Sequence, residues 1–196
     1  PFDKSCADLT GHALLAMLKS LCEIDSMPTA LRKRLTISIN KAAAYLEKQQ
    51  MKNGSWLPLW FGNQLTETKS NPVYGTAKVS IYLSDCLNLN LPDKKLKNNL
   101  SVMLEKAHAY LISNQNTDGS WGGEKDVEGT IEETSLAISA LAAIDEAACL
   151  KGLQWLDRNS GMKASPIGLY FAMLWYDEKM YPMIYYTEAC RRLLIK

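Results

Sequence analysis

The side chains that most often carry out catalysis are few in this sequence. His12 and His108 lie in helical text without a second ligand at a metal-binding spacing, so we expect no metal site and an exposed His108. The acids Glu132 and Glu133 precede Thr134 and are expected to favour a helix N-terminus. No Ser/His/Asp order, phosphate-binding loop or dinucleotide-binding fingerprint is present, so no cofactor is indicated.

The composition narrows the class of protein. The 196 residues carry 22 Lys+Arg and 21 Asp+Glu, and this near-neutral charge disfavours a nucleic-acid partner. No apolar run reaches the roughly 18 residues of a spanning helix, and the first residues lack the basic-then-apolar pattern of a secretory leader, so we expect neither. Five cysteines without a C-x-x-C pair indicate reduced, structural thiols, which favours a cytoplasmic protein. The first residue is Pro1 rather than Met, so we expect part of a longer protein.

One motif occurs twice, at an offset of 65 residues: Gln50-x3-Gly54-x-Trp56 and Gln115-x3-Gly119-x-Trp121. A Gln at a helix end can bond free carbonyl groups, and a following Gly can supply the positive φ that ends the helix. The Trp can then fold back on the helix pair and offer its indole N–H. We therefore expect these residues to staple adjacent helix pairs, with only Trp121 serving in a ligand site as well.

Two kinds of helix alternate along the chain. Segments beginning near Thr10, Thr76 and Thr134 are apolar on most faces, as in buried helices. Segments beginning near Lys41, Lys106 and Lys151 mix apolar and charged residues, as in half-exposed helices. The fold class predicted is all-α, a partial α/α toroid of alternating inner and outer helices. We expect an arc of about seven helices, because a closed double ring needs about twelve.

The remaining boundaries follow from the same pattern. Residues 166–177 and 182–194 are predicted to be the last two helices, and residues 57–73 and 120–133 the long loops.

The two motif copies and the text around them resemble the class II triterpene cyclases, the squalene–hopene and oxidosqualene cyclases. The first copy is followed by Trp60-Phe-Gly62 and Tyr74-Gly75-Thr76, similar to that family's block after its Gly-Ser-Trp. Looser similarity continues through Ser165-Pro-Ile-Gly168-Leu-Tyr170-Phe171 and Tyr181-Pro182, so the resemblance spans essentially the whole chain. It implies one squalene-cyclase-like domain over residues 1–196, forming the C-terminal part of a longer protein.

The family's catalytic acid has no clear counterpart. The sequence contains no Asp-x-Asp-Asp, and the nearest candidate is Asp8, which stands before Thr10. Because Asp8 leads directly into the block with Tyr74-Gly75-Thr76, it matches a later inner-helix start, where an N-cap is the favoured interpretation and an acid the alternative. The resemblance thus implies a catalytic Asp upstream. The residue before the second motif's Gln is Asn114, where hopene-type cyclases often have His and oxidosqualene cyclases Cys. Asn can hydrogen-bond a carboxyl group but cannot carry the charge of His.

The resemblance also implies the chemistry of the site. Class II cyclisation protonates an alkene or epoxide and needs aromatic faces around the resulting carbocations. The candidate substrate-binding residues are Tyr74, Trp121, Tyr170, Asn114, Trp175 and Tyr176, with ordinary core packing as their alternative role.

Two functions from different classes remain open. One is the C-terminal portion of a terpene cyclase that acts on an apolar isoprenoid, inactive alone, with a monotopic membrane contact in the longer protein. The other is a non-catalytic helical-repeat module that binds a lipid or protein. In both cases the open arc predicts a partner, either the missing N-terminal portion or a second copy. A protein prenyltransferase β-subunit shares the toroid, but its zinc site needs a His that follows neither Cys149 nor Cys190.

Overall fold

The computed structural model of the chain describes residues 4–159, 161–169 and 174–194. These residues form seven α-helices and two short strands. The helices are α1 (Ala7–Glu23), α2 (Thr29–Gln49), α3 (Pro72–Leu87), α4 (Lys94–Ser113), α5 (Ile131–Leu141), α6 (Glu146–Arg158) and α7 (Tyr181–Leu194). The strands are β1 (Ile167–Leu169) and β2 (Leu174–Tyr176).

The helices form two layers that follow the predicted alternation. Helices α1, α3, α5 and α7 pack side by side in an inner row. Helices α2, α4 and α6 lie outside, each against the inner helix that precedes it, and α2 also packs against α4. Because each outer helix returns the chain, the inner helices run parallel and their N-terminal ends gather at one end of the arc. The predicted all-α partial toroid is therefore confirmed.

Burial separates the layers as the sequence patterns predicted. Every residue of α5 is buried, from Ile131 to Leu141, because α3, α4, α6 and α7 all pack around it. The outer helix α2 buries only Ile39, Ala43 and Leu46, which lie on one face at helical spacing. The apolar core accordingly divides into two clusters, one around Trp56 and one around Trp121.

Side-chain caps begin four of the helices. Asn71, Asp93, Thr130 and Asp145 each accept a backbone N–H in the first turn of α3, α4, α5 and α6. The interpretation of Asp8 as an N-cap is wrong, because the capping position of α1 is Cys6 and Asp8 already lies within the helix.

The helix predicted over residues 166–177 is also wrong. Strands β1 and β2 pair antiparallel there, with Gly168 opposite Trp175. A side chain on Gly168 would collide with the Leu174 carbonyl oxygen, so this close approach requires glycine. The Gly168 carbonyl also accepts the Gly62 N–H at 2.8 Å, a bond to a distant loop that local sequence patterns do not reveal.

Two further features differ from or extend the sequence analysis. His108 was expected to be exposed, but it is only 6% exposed, because it lies on the face of α4 that packs toward α5. Its burial lowers the pKa of the imidazole. Within the described residues, no helix combines the length and hydropathy needed to cross a membrane.

Candidate functional site

The first Gln-Gly-Trp motif joins three parts of the chain through hydrogen bonds. The Gln50 side-chain amide donates to the Gly54 carbonyl at 2.9 Å and to the Met103 carbonyl of α4 at 2.8 Å. The Trp56 indole donates to the Leu46 carbonyl at 2.8 Å, and its backbone N–H donates to Thr76 Oγ1 at 3.0 Å. One loop is thereby fixed to α2, α3 and α4.

The second motif repeats these bonds almost atom for atom. The Gln115 amide donates to the Gly119 and Ala148 carbonyls, both at 2.9 Å. The Trp121 indole donates to the Leu111 carbonyl at 2.7 Å, and its backbone N–H donates to Thr134 Oγ1 at 3.0 Å. The same residue types at the same spacing thus produce the same joint between the next pair of outer helices.

The motif glycines act in the loop rather than at the helix end. Helix α2 already ends at Gln49, and Gly54 follows in a tight turn with φ of 91°; Gly119 has φ of 98°. A side chain on Gly54 would strike the Lys106 carbonyl oxygen, and one on Gly119 would lie 2.6 Å from the Lys151 carbonyl oxygen. Glycine therefore lets each loop touch the backbone of the next outer helix.

Trp121 and Asn114, two of the candidate substrate contacts, lie in these joints. Trp121 is 0% exposed, like Trp56, and its ring lies against Gly152 of α6. This position leaves Trp121 no surface to offer a ligand. Asn114 follows the end of α4, and its side-chain amide donates to the Tyr110 carbonyl at 2.8 Å.

An aromatic cluster lies at the end of the arc where the inner helices begin. Its members are Phe61, Tyr74, Tyr181 and Tyr185. The Phe61 and Tyr74 rings stack with centroids 4.4 Å apart and an interplanar angle of 24°. Tyr185 meets Tyr74 edge-on at 6.4 Å, and their hydroxyl oxygens are 3.2 Å apart. Tyr181 joins the group 5.4 Å from Tyr185 and 6.4 Å from Phe61.

Different elements bring these four rings together. Tyr74 occupies the first turn of α3, where its backbone N–H donates to the Asn71 cap at 3.0 Å. Phe61 comes from the loop before α3. Tyr181 and Tyr185 stand four residues apart on one face of α7. Offset-stacked and edge-on aromatic pairs of this kind are favourable by about 1 kcal/mol beyond the area they bury.

The cluster is uncharged at physiological pH. Burial, and next the neighbouring Tyr185, raise the pKa of Tyr74 well above its usual value. Burial likewise raises the pKa of Tyr185. Both hydroxyls therefore stay protonated, and the rings present neutral, electron-rich faces.

A basic group borders the cluster on its α3 side. Lys78 Nζ lies 5.2 Å from the Tyr82 ring centroid and 5.6 Å from that of Tyr185. The Tyr82 hydroxyl is also 3.1 Å from His12 Nδ1 of α1. Beyond Lys78 a groove of about 610 Å³ runs between α3 and α7, floored by apolar residues such as Ile81 and Leu136.

The other candidates fall near or beyond the cluster. Asp8 is 4% exposed in the first turn of α1, and its Oδ1 has no hydrogen-bond partner among the described residues. Its charge contributes to the raised pKa of Tyr74, which places it at the same end of the arc. Trp175 is half-buried on β2, and Tyr176 beside it is 45% exposed and contributes to the raised pKa of Tyr181. Tyr170 lies outside the described residues.

Two buried acids beneath the cluster hold the surrounding loops. Both Asn63 and Asn71 donate their side-chain amides to Glu133 Oε1, at 3.1 Å and 2.6 Å. Glu132 accepts the Ser165 N–H and hydroxyl, both at 2.9 Å. They lie in the first turn of α5, as predicted, but the sequence analysis missed these loop contacts because their partners are 33 to 70 residues away.

Sequence reasoning also missed three of the four cluster members. Phe61 follows Trp60 in a segment that already resembled the cyclases, and Tyr181 precedes Pro182 in another. The four-residue spacing of Tyr181 and Tyr185 was the available signal for the third. In the described part of the chain, no group of three His, Cys, Asp or Glu side chains is arranged to hold a metal ion.

Comparison with known proteins agrees with this architecture. The sequence matches the family model of the squalene-hopene cyclase C-terminal domain over residues 2–171. A squalene–hopene cyclase of Zymomonas mobilis is 31% identical over 132 residues, which cover 60% of this chain and 18% of that protein. Enfumafungin synthase of Hormonema carpetanum is 29% identical over 188 residues, covering 88% of this chain and 13% of that protein.

A solved structure shares the fold. The ent-copalyl diphosphate synthase of Streptomyces platensis superposes with a TM-score of 0.63 at 18% identity, over 97% of this chain and 33% of that one. The chain spans less than a fifth of the length of the two curated relatives it matches. Because the family match covers most of the chain, this protein belongs to the squalene-hopene cyclase C-terminal domain family.

Proposed function

We propose that this domain supplies aromatic wall to the active site of a class II terpene cyclase that acts on an apolar isoprenoid. The observation that carries the proposal is the stacked and edge-on contact of Phe61, Tyr74 and Tyr185 at the end of the arc where the inner helices begin. The curated relative named squalene–hopene cyclase supports the reaction class.

The role of the wall is electrostatic. A carbocation formed along a folded polyene is attracted to the negative face of an aromatic ring, by about 2 kcal/mol or more where water is excluded. Fixed rings lower the barrier because they need no reorganisation when the charge forms. Contacts between Phe61, Tyr74 and Tyr185 hold these rings in place, and Tyr176 of β2 extends the wall beside Tyr181. Trp175 is proposed as its outer member.

The acid that starts the reaction is proposed to come from outside this sequence. Class II cyclisation needs a strong acid, and the chain has no Asp-x-Asp-Asp. Asp8 remains the alternative, since its buried Oδ1 lacks a partner among the described residues. On this proposal the 196-residue chain binds an isoprenoid but does not cyclise it.

A cation mimic tests the wall directly. The ligand is a C15 isoprenoid with a trimethylammonium head, and its control is the uncharged tert-butyl isostere. The ammonium should bind about tenfold more tightly, and Phe61→Leu should remove most of that preference. Trp155→Leu is the matched control, because Trp155 is a half-buried aromatic residue of outer helix α6 bonded to Asp118. Equal affinity for both ligands in the unmodified chain would refute the aromatic role.

Product formation tests the reaction class. The chain alone, incubated with squalene or oxidosqualene, should yield no cyclic product by mass spectrometry. A chimera in which it replaces the matched segment of the Zymomonas mobilis squalene–hopene cyclase should yield one. A folded chimera without product from either substrate would argue against the proposal.

One observation favours the alternative, a non-catalytic module that binds a lipid or protein. Met180, Met183 and Ile184 at the start of α7 are each at least half exposed. Exposed apolar side chains that lie together often mark a surface that binds another molecule. A module of this kind would bind the ammonium ligand and its neutral isostere equally well.

A further inference from the structure

A single carboxyl group connects the two parts of the chain that carry the stacked Phe61 and Tyr74 rings. Glu133 lies in the first turn of α5 and is 2% exposed. Asn63 and Asn71 both donate to its Oε1, and Oε2 has no hydrogen-bond partner within the described residues. We call these three residues the Glu133 clasp.

The clasp sets the orientation of both amides. Because the Asn63 Nδ2 group donates to Glu133, the Oδ1 atom of the same amide accepts the Leu65 N–H, at 2.8 Å. This second bond shapes the loop after Phe61. In the same way, the Asn71 carbonyl oxygen accepts the Tyr74 N–H at 3.0 Å and caps α3. Each ring of the stacked pair thus lies within three residues of an amide that Glu133 holds.

The adjacent acid fixes the other border of the cluster. Glu132 binds Ser165 just before β1, through the Ser165 backbone N–H and hydroxyl. The Gly62 N–H then links the Phe61 loop to β1 at the Gly168 carbonyl. Two neighbouring carboxyl groups therefore fasten both loops around the aromatic cluster.

The charge of Glu133 changes with pH, and we expect the hydrogen bonds of the clasp to change with it. In the described structure neither Glu132 nor Glu133 forms an ion pair with a basic side chain. The charge of Glu132 acts on Glu133, and the charge of Asp177 acts on Glu132. Burial, and then the charge of Glu132, raise the pKa of Glu133 to about 7. The two amide hydrogen bonds act in the opposite direction and lower this pKa, because N–H donors favour the carboxylate, but burial and the charge of Glu132 outweigh them.

We propose that Glu133 is a positioning residue of the aromatic wall, which holds the Phe61 loop and the start of α3 in register as a neutral acid and releases them when it ionises. This inference rests on the proposed function, because it describes how pH regulates the proposed aromatic wall. An ionised carboxylate at this depth has only two amide donors to replace its hydration and stands next to a second acid. Its ionisation therefore favours an open loop that admits water.

Hydrogen exchange tests the clasp without any ligand. Backbone exchange of residues 59–71 is measured by mass spectrometry between about pH 5.5 and pH 8 and divided by the intrinsic rate at each pH. In the unmodified chain, protection of this loop should fall about tenfold as the pH rises through the titration of Glu133. Amides in the middle of α4 provide the internal reference and should keep their protection.

Matched variants separate the proton from the contacts. Glu133→Gln keeps an acceptor for both amides and cannot ionise, so the loop should stay protected at every pH. Glu133→Ala removes the clasp, so the loop should exchange rapidly at every pH. Glu128→Gln is the control, because Glu128 is exposed on the loop before α5 and should behave like the unmodified chain.

The outcomes are distinct from those of the proposed function. Loop protection that is flat with pH in the unmodified chain, or that falls equally in Glu133→Gln, would overturn the clasp even if Glu133→Ala does not fold. The ammonium ligand is then measured on the same proteins. A pH-dependent clasp with no preference for the ammonium would leave the clasp standing and refute the aromatic wall.

Discussion

The double hydrogen bond of the motif glutamine offers a sharp test of how the outer helices are joined. The perturbation is Gln50→Glu, which keeps the size and shape of the side chain. It replaces the Nε2 group, which donates to the Gly54 carbonyl at 2.9 Å and the Met103 carbonyl at 2.8 Å, with an oxygen. An ionised carboxylate would face two carbonyl oxygens, and a protonated one could donate to only one of them.

The expected magnitude follows from those two bonds. A hydrogen bond of this kind contributes about 1 kcal/mol, and a carbonyl left without a donor costs about 1 to 3 kcal/mol. Gln50 is half-buried, so solvent reduces the charge penalty, and we expect a loss of about 2 to 3 kcal/mol in the free energy of unfolding at pH 7. The introduced carboxyl should have a raised pKa in the folded state, so the loss should shrink as the pH falls toward about 4.3, the ordinary pKa of a Glu, and change no further below it.

Urea unfolding followed by circular dichroism measures this change. Gln49→Glu is the control, because Gln49 is exposed on the last turn of the same helix and receives the same charge. Gln115→Glu should repeat the effect, since the second motif has the same geometry. The reasoning is refuted if Gln50→Glu and Gln49→Glu unfold within about 0.5 kcal/mol of each other.

Three further predictions follow from single side chains. Folding raises the pKa of Glu133 from 4.5 to about 7, so between those pH values the folded chain holds more protons than the unfolded chain. The free energy of unfolding should therefore fall as the pH rises from 4.5 to 7, by on the order of 3 kcal/mol, and then level off. Urea titrations should show this slope in the unmodified chain and a clearly weaker one in Glu133→Gln; equal slopes would contradict it. Gly119→Ala should lower the free energy of unfolding by about 2 to 4 kcal/mol, because a Cβ at φ of 98° would lie 2.6 Å from the Lys151 carbonyl oxygen. Gly161→Ala is the control: a Cβ there would meet open space, so thermal stability should change little. Lys78→Met should raise the affinity for the ammonium ligand about threefold by calorimetry, since the Lys78 ammonium lies 5.6 Å from the Tyr185 ring; weaker binding would count against the cluster as the cation site.

Much of the fold was predictable because it is encoded in local patterns that repeat. The alternation of apolar and mixed helices follows from periodicities of three to four residues, which act within each segment. The pairing of β1 with β2 was missed because its geometry depends on Gly168 lying against the Leu174 carbonyl, a contact that apolar periodicity does not report. His108 was misplaced for a similar reason, since its burial comes from α5 rather than from its neighbours on α4.

In the candidate site, too, the features that depend on short segments were predictable from sequence, and the contacts between distant segments were not. Residue types and spacing alone indicated the Gln-Gly-Trp motifs, the helical layers, Tyr74 and the family to which the chain belongs, because these depend on short, recurring segments. Only the tertiary structure brought Tyr185 to Tyr74 across 111 residues and gave Glu133 two amide partners from a distant loop. It also moved Trp121 from a candidate wall residue into a buried joint. Helix patterns specify which face of each element is buried, but the neighbours that meet there are set by how the helices pack into an arc.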